Sequence, residues 1–197
     1  MQLDAFETNG ASPPRRARGF AYRLRTVTLK LNDPDNWNVD SLDLEWDVTR
    51  PNKVKARQAL FNDASEDGVS GDASDSGLAA LADRGLTDFS GKDIAVLLTA
   101  PVDDAGELVL RSKAVLRDAG WFVRCEGEAD VARLNAILRV GALVQIGGIG
   151  SLNSGKYYVW SVRHMLASDS HRMKFVLVRN AVGPKPSGGG GLIGGLL

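Results

Sequence analysis

The stretch from Gly147 to Val182, GGIGSLNSGKYYVWSVRHMLASDSHRMKFVLVRNAV, admits two incompatible folds, and the choice between them constrains the rest of the chain. Gly150 to Lys156 fits the first seven positions of a nucleotide-binding P-loop, in which a glycine-rich turn after a strand opens a helix. A strand does precede it, at Leu143-Val144-Gln145-Ile146. The Ser or Thr that would hold Mg²⁺ is replaced by Tyr157, and the run that follows, Tyr-Tyr-Val-Trp-Ser-Val, favours a strand over a helix. An extended chain after Lys156 turns its N–H groups sideways, so no helix N-terminus faces a phosphate. The segment is therefore read as a glycine-rich turn entering a β-hairpin: Tyr157–Leu166, a turn at Ala167–Ser170, and a return over Arg172–Val182. Both faces of this hairpin carry apolar residues, with Tyr158, Trp160 and Val162 on one and Tyr157 and Val159 on the other. One face is expected to meet the protein's own core and the other a second subunit.

Alternation also marks an earlier segment. Leu42, Leu44, Trp46 and Val48 alternate with Asp43, Glu45 and Asp47, and Lys53, Lys55 and Arg57 alternate with Val54 and Ala56. Folding back at Thr49-Arg50-Pro51-Asn52 sets Asp47 opposite Lys53, Glu45 opposite Lys55 and Asp43 opposite Arg57, giving one apolar and one ion-paired face. This predicts a 42–57 hairpin whose carboxylates are solvated rather than catalytic. A first strand is predicted over Phe20–Leu31, where the apolar phase slips by one residue, and a turn over Asn32–Asn36. A short helix is predicted over Leu78–Leu86 and a strand over Ile94–Leu98. Ala105–Ala119 is the clearest helix, with Leu108, Ser112, Val115 and Ala119 on one stripe and Gly120 at its end. Strands follow at Trp121–Cys125 and Gly141–Gly147, with an amphipathic link over Asp130–Leu138 between them.

The expected class is α+β, mainly β: an antiparallel tube-like β-barrel domain with a packed helix. The divisions are a flexible arm over 1–18, a hairpin-rich region over 19–90 containing an acidic loop at 61–77, the barrel domain over 91–183, and a glycine-rich tail over 184–197 that begins at GPKPSGGGG.

Composition narrows the function. Lys+Arg and Asp+Glu number 24 each in 197 residues, a zero net charge that disfavours specific nucleic-acid binding, and Arg15, Arg16 and Arg18 are read as a solvated terminal patch. No apolar run approaches the roughly 20 residues needed to cross a bilayer, and no signal peptide is visible. Cys125 is the only cysteine, so no intrachain disulfide forms, and its apolar strand setting reads as a small buried residue rather than a nucleophile. Asp63-x-Ser65-x-Asp67-Gly68 resembles the start of a calcium loop but ends in Ser74 where a bidentate Glu is needed. His164 with His171 or Cys125 invites a metal or catalytic reading. Two histidines flanking a tight turn, with no carboxylate at suitable spacing, do not fill a zinc sphere, so His164 is read as structural. No catalytic, cofactor or metal residue is assigned, and no cofactor is expected.

At Leu138–Gly147 and Ser154–His164, with Ala114–Val123 before them, the chain resembles the baseplate hub proteins of contractile tails. These include the phage late-control D proteins, the T4-type central hub and the first half of the type VI spike protein VgrG. The resemblance covers residues 94–182. It implies a structural, non-catalytic subunit that forms a trimer of tube-like barrels, meets the tail tube on one side and the spike on the other, and contacts other baseplate subunits. It places the protein in the virion tail or baseplate, made in a bacterial host. Tyr157, Tyr158, Trp160, Val162, His164 and Phe175 are the candidate core or interface residues. The alternatives are a nucleotide-binding enzyme using Gly150–Lys156 and a calcium- or ligand-binding β domain.

Overall fold

The computed structural model describes residues 26–58, 69–100, 102 and 104–184. The arm over 1–18, the start of the first predicted strand, Asp63, Ser65 and Asp67 of the calcium-like loop, and the tail from 185 onward lie outside the described residues.

The strands are β1 (Val27–Lys30), β2 (Ser41–Trp46), β3 (Lys53–Gln58), β4 (Val69–Ser70), β5 (Ala95–Leu98), β6 (Val123–Asp130), β7 (Leu143–Gly147), β8 (Gly155–Leu166) and β9 (His171–Arg179). The helices are α1 (Leu86–Ser90), α2 (Ala105–Ala119), α3 (Val131–Leu134) and α4 (Gly150–Asn153). The fold is α+β and mainly β. Its main body is a six-stranded sheet in the order β1-β7-β8-β9-β6-β2, curled into a half-barrel. Neighbours are antiparallel except β1 and β7, which run parallel. Its inner face is filled by Leu29, Phe122, Cys125, Ile146, Tyr157, Val159, Phe175 and Leu177. A second, three-stranded sheet, β4-β3-β5, has its own cluster of Val54, Ala56, Val102, Leu108 and Leu116.

The 42–57 hairpin does not form. β2 pairs with β6, setting Leu44 against Cys125 and Leu42 against Gly127, whereas β3 pairs with β4 and β5 in the other sheet. The predicted charge ladder is absent with it. Arg50 bonds Asp47 at 3.1 Å, Lys53 bonds Asp93 at 2.7 Å, and Arg57 lies 3.9 Å from Asp72. The turn is nonetheless real, since Asp47 accepts from the Thr49 N–H and hydroxyl. Alternation defines which face of a strand is apolar, but any strand of matching phase can supply the partner. The two sheets consequently take strands from both sides of residue 90.

Helix α2 has the predicted ends. Asp104 caps it by accepting from the Glu107 N–H at 2.9 Å, Glu107 pairs with Arg111 one turn on, and Leu108, Ser112, Leu116 and Ala119 are its buried stripe. It packs on the small sheet, close enough that a Cβ on Gly71 would fall 2.7 Å from Leu108 Cγ. No helix forms over Leu78–Leu86. That segment is instead bound laterally, with Asn180 bonding Leu81 and Ala79 and with Arg84 bridging Val182.

One register shift corrects the predicted faces of β8. Val159 faces Leu177 and Ser161 faces Val176, so Trp160 is an extra residue, a β-bulge. Because side chains alternate with period two, the extra residue exchanges the faces beyond it. Val162 therefore pairs with Phe175 on the inner face with Tyr157 and Val159, not on the outer face with Tyr158.

Candidate assembly surface

The outer face of the six-stranded sheet is read off the register. Glu45, Arg124, Val178 and Tyr158 form one row, and Asp43, Glu126, Val176 and Ser161 the next. Towards the hairpin tip, Glu128, Lys174 and Arg163 make a third row. At one end of this surface three aromatic rings meet. Trp121 stacks on Tyr158 with centroids 5.5 Å apart, and Tyr158 meets Trp160 edge-on at 6.5 Å. Trp160 follows Tyr158 by two residues and shares its outer face, where it is 45 % exposed. Arg50, Asp118, Arg124 and Val178 border a shallow hollow beside Trp121 and Trp160. Large aromatic rings flanked by arginine and left partly exposed are the residue types that anchor protein interfaces.

Ion pairs order the rest of the face. Glu128 takes Arg172 at 2.9 Å and Lys174 at 3.9 Å, and Arg124 takes Glu126 at 2.8 Å. Asp40 holds Arg133 at 2.6 Å and Arg172 at 3.1 Å, while the Arg133 guanidinium lies over the Trp37 ring at 3.8 Å. The surface thus has an acidic side along β2 and β6, a basic side at Arg163, Arg172 and Lys174, and an aromatic end.

The six candidate residues separate into three places. Tyr157, Val162 and Phe175 face the inner core, Tyr158 and Trp160 lie on the outer face, and His164 sits near the tip of the β8–β9 hairpin beside His171. Trp121 was not among the candidates. It stands just before β6, and only the fold brings it onto Tyr158.

The glycine-rich segment serves a different purpose from a phosphate cradle. α4 lies before Lys156, and Lys156 itself is an exposed residue of β8 paired with Gln145, so no helix begins after it. The segment wraps Arg179 instead, a fully buried side chain. Its Nη1 donates to the Leu152 and Asn153 carbonyls at 3.3 and 3.2 Å, and its Nη2 donates to the Gly183 carbonyl at 2.8 Å. These are exposed-end carbonyls of α4 and of the chain leaving β9, acceptors that a cation satisfies well. Tyr157 completes the cluster: its hydroxyl donates to Asn153 O at 2.7 Å and its ring lies 5.3 Å from the guanidinium. Arg179 was missed by sequence reasoning. The only signal was one cation inside the apolar run Phe-Val-Leu-Val-Arg.

Cys125 is buried in the same region. Burial pushes its thiol up from the usual 9.0 to about 12, with a hydrogen bond to Tyr157 and the charge of Arg179 acting the other way. Burial, reinforced by Cys125, also raises the Tyr157 phenol. A neutral thiol at this depth is a poor nucleophile. The unfolded chain loses this proton near pH 9 and the folded chain only near 12, so the folded state holds more protons in between. Stability is therefore expected to fall as pH rises from 9 towards 12, by up to about 1.4 kcal/mol per pH unit for one such group. Cys125→Ala should flatten the decline of Tm over that interval. An unchanged slope would mean that the thiol is not the titrating group.

Among the described residues, no three His, Cys, Asp or Glu side chains converge as a metal site, and no helix is long and apolar enough to cross a membrane.

No family model matches the chain, and no curated protein does. Solved structures do match. The 43 kDa tail protein of prophage MuSo2 from Shewanella oneidensis superposes with a TM-score of 0.56 at 14 % identity, over 78 % of this chain and 44 % of that one. The tail protein from Neisseria meningitidis MC58 superposes with a TM-score of 0.52 at 16 % identity, over 80 % of this chain and 44 % of that one. The chain thus spans less than half the length of either protein, and what it shares with them is the fold.

Proposed function

We propose that the protein is a structural subunit of a phage tail or related injection machine, a ring-forming hub or tail-tip component that links the tail tube to the spike. The observation that carries this reading is the likeness of the half-barrel to two tail proteins, on a chain whose glycine, tyrosine and valine pattern resembles the baseplate hubs. The outer face adds support: an open sheet with a partly exposed Trp121–Tyr158–Trp160 cluster beside charged rows presents what a neighbouring subunit would bury. In this reading the protein acts mechanically, holding copies and neighbours in register, and it does no chemistry. A trimer is the state proposed, with the tail tube protein, the spike and other baseplate subunits as partners, and the virion tail as its place.

The mass of the purified chain in solution tests the ring. Light scattering is expected to give three times 21.1 kDa, with end-on rings by electron microscopy. A chain that stays at 21.1 kDa both alone and with its tail tube partner would reject the ring.

A further inference from the structure

We propose that His164 and His171 form a chelating site for a divalent transition-metal ion of the copper and nickel type. The site lies at the tip of the β8–β9 hairpin. His164 faces Met173 across the ribbon and His171 faces Leu166, so the two histidines are diagonal neighbours on one face. His164 Nδ1 and His171 Nε2 lie 3.0 Å apart, with ring centroids at 5.2 Å.

That spacing matches a coordination geometry. For metal–nitrogen bonds of about 2.0–2.1 Å, two nitrogens at this separation subtend about 95° at the metal, the angle of two adjacent corners of a square or octahedron. A tetrahedral ion would want them roughly 0.3 Å further apart. Imidazole ligands with near-square geometry suit Cu²⁺ and Ni²⁺. In the metal-free chain the same two nitrogens lie within hydrogen-bond distance of each other. To bind one ion, each imidazole carries its proton on the outer ring nitrogen, and the two rings turn so that their lone pairs converge on the metal instead of on each other.

The surroundings permit a cation. Alternation puts Arg163, Arg172 and Lys174 on the opposite face of the ribbon, where Arg172 and Lys174 are engaged by Glu128 and Asp40. The nearest chain reversal carries Asp169. His164 is exposed, which leaves the remaining coordination positions to water. The two strands of the hairpin fix the backbone separation of the two histidines, so the reordering that binding requires is confined to the rings. Two ligands do not make a closed structural centre, and the site is an open one.

Titration of the full chain with Cu²⁺ at neutral pH tests this, read by calorimetry and by electron paramagnetic resonance. Wild type is expected to take a single equivalent with nitrogen hyperfine coupling. His164→Ala and His171→Ala should each lower the affinity by about 100-fold, because each leaves a single imidazole without its linked partner. Cu²⁺ should raise the Tm of wild type and not that of either variant. Both side chains lie at a hairpin tip outside the core, and unchanged Tm values of the metal-free variants establish that the fold is intact. His164→Gln provides a second, polar replacement with the same expected loss. Wild type that takes up no copper overturns the proposal, and so does copper uptake that survives loss of either histidine.

Discussion

Gly155→Ala is expected to destabilise the protein by about 3–5 kcal/mol, whereas Lys156→Ala next to it should stay within about 0.5 kcal/mol. Two independent costs meet at Gly155. Its φ of +145° lies where side chains are strained, and a Cβ placed there would fall 2.6 Å from Arg179 Nη2 and 3.1 Å from Cζ. A flexible side chain would usually swing aside. Arg179 is held by three carbonyls in a fully buried position, so retreat would abandon those bonds and leave a buried cation unsatisfied. The steric share belongs to the pair and the backbone share to Gly155 alone, so Gly155→Ala in an Arg179→Met background should cost less than in wild type, by about 1–3 kcal/mol of coupling. Chemical denaturation of the four proteins measures it. Additive costs would show that Arg179 does yield, and that backbone strain alone makes Gly155 necessary. A nucleotide site would instead show itself in ligand binding, where Lys156→Ala would be the sensitive variant.

How much of this was legible in the chain differs from element to element. Helix α2 was legible because the Leu108–Ser112–Ala119 stripe and Gly120 are local signals, and the structure adds Asp104 as its N-terminal cap. The β8–β9 hairpin was legible for the same reason, since its turn at Ala167–Ser170 lies between its two strands. The fate of β2 and β3 was not. Each showed its apolar face correctly, yet the choice of partner was a competition between distant segments. β6 offered Cys125 and Gly127, and α2 with Val102 offered a second core. The bulge at Trp160 is a property of the pairing of β8 with β9, and neither strand announces it alone. Arg179 was hidden because its partners are backbone carbonyls, which every residue possesses and no motif spells. The aromatic surface was half visible: Tyr158 and Trp160 stand two residues apart in sequence, but Trp121 arrives through the fold.

Trp160→Asp is expected to leave a folded chain that no longer assembles. Trp160 is 45 % exposed on the outer face, so a carboxylate in its place remains hydrated in the isolated subunit, and the inner core of Tyr157, Val159 and Phe175 is untouched. Far-ultraviolet circular dichroism and Tm should therefore stay close to wild type. In an assembly that covers the Trp121–Tyr158–Trp160 cluster, the same carboxylate would be desolvated against aromatic rings and Val178, and the bordering Arg50 and Arg124 are already engaged by Asp47 and Glu126. Losing an aromatic anchor costs about 2–4 kcal/mol, and desolvating the new carboxylate adds to it, so association should weaken by roughly 100-fold. Light scattering of the isolated chain reads this as a fall to 21.1 kDa, and incorporation into tail particles reads it as exclusion. Leu110→Asp is the matched control. Leu110 is an exposed apolar residue of α2, on the small-sheet side of the molecule, and its replacement should assemble normally. If Trp160→Asp folds and assembles like wild type, the outer face of the half-barrel is not where subunits meet. If both variants fail equally, the loss follows added charge rather than position. Only failure of the first with success of the second assigns the contact to the aromatic end of the sheet, where Trp160 stands beside Tyr158 on the outer face.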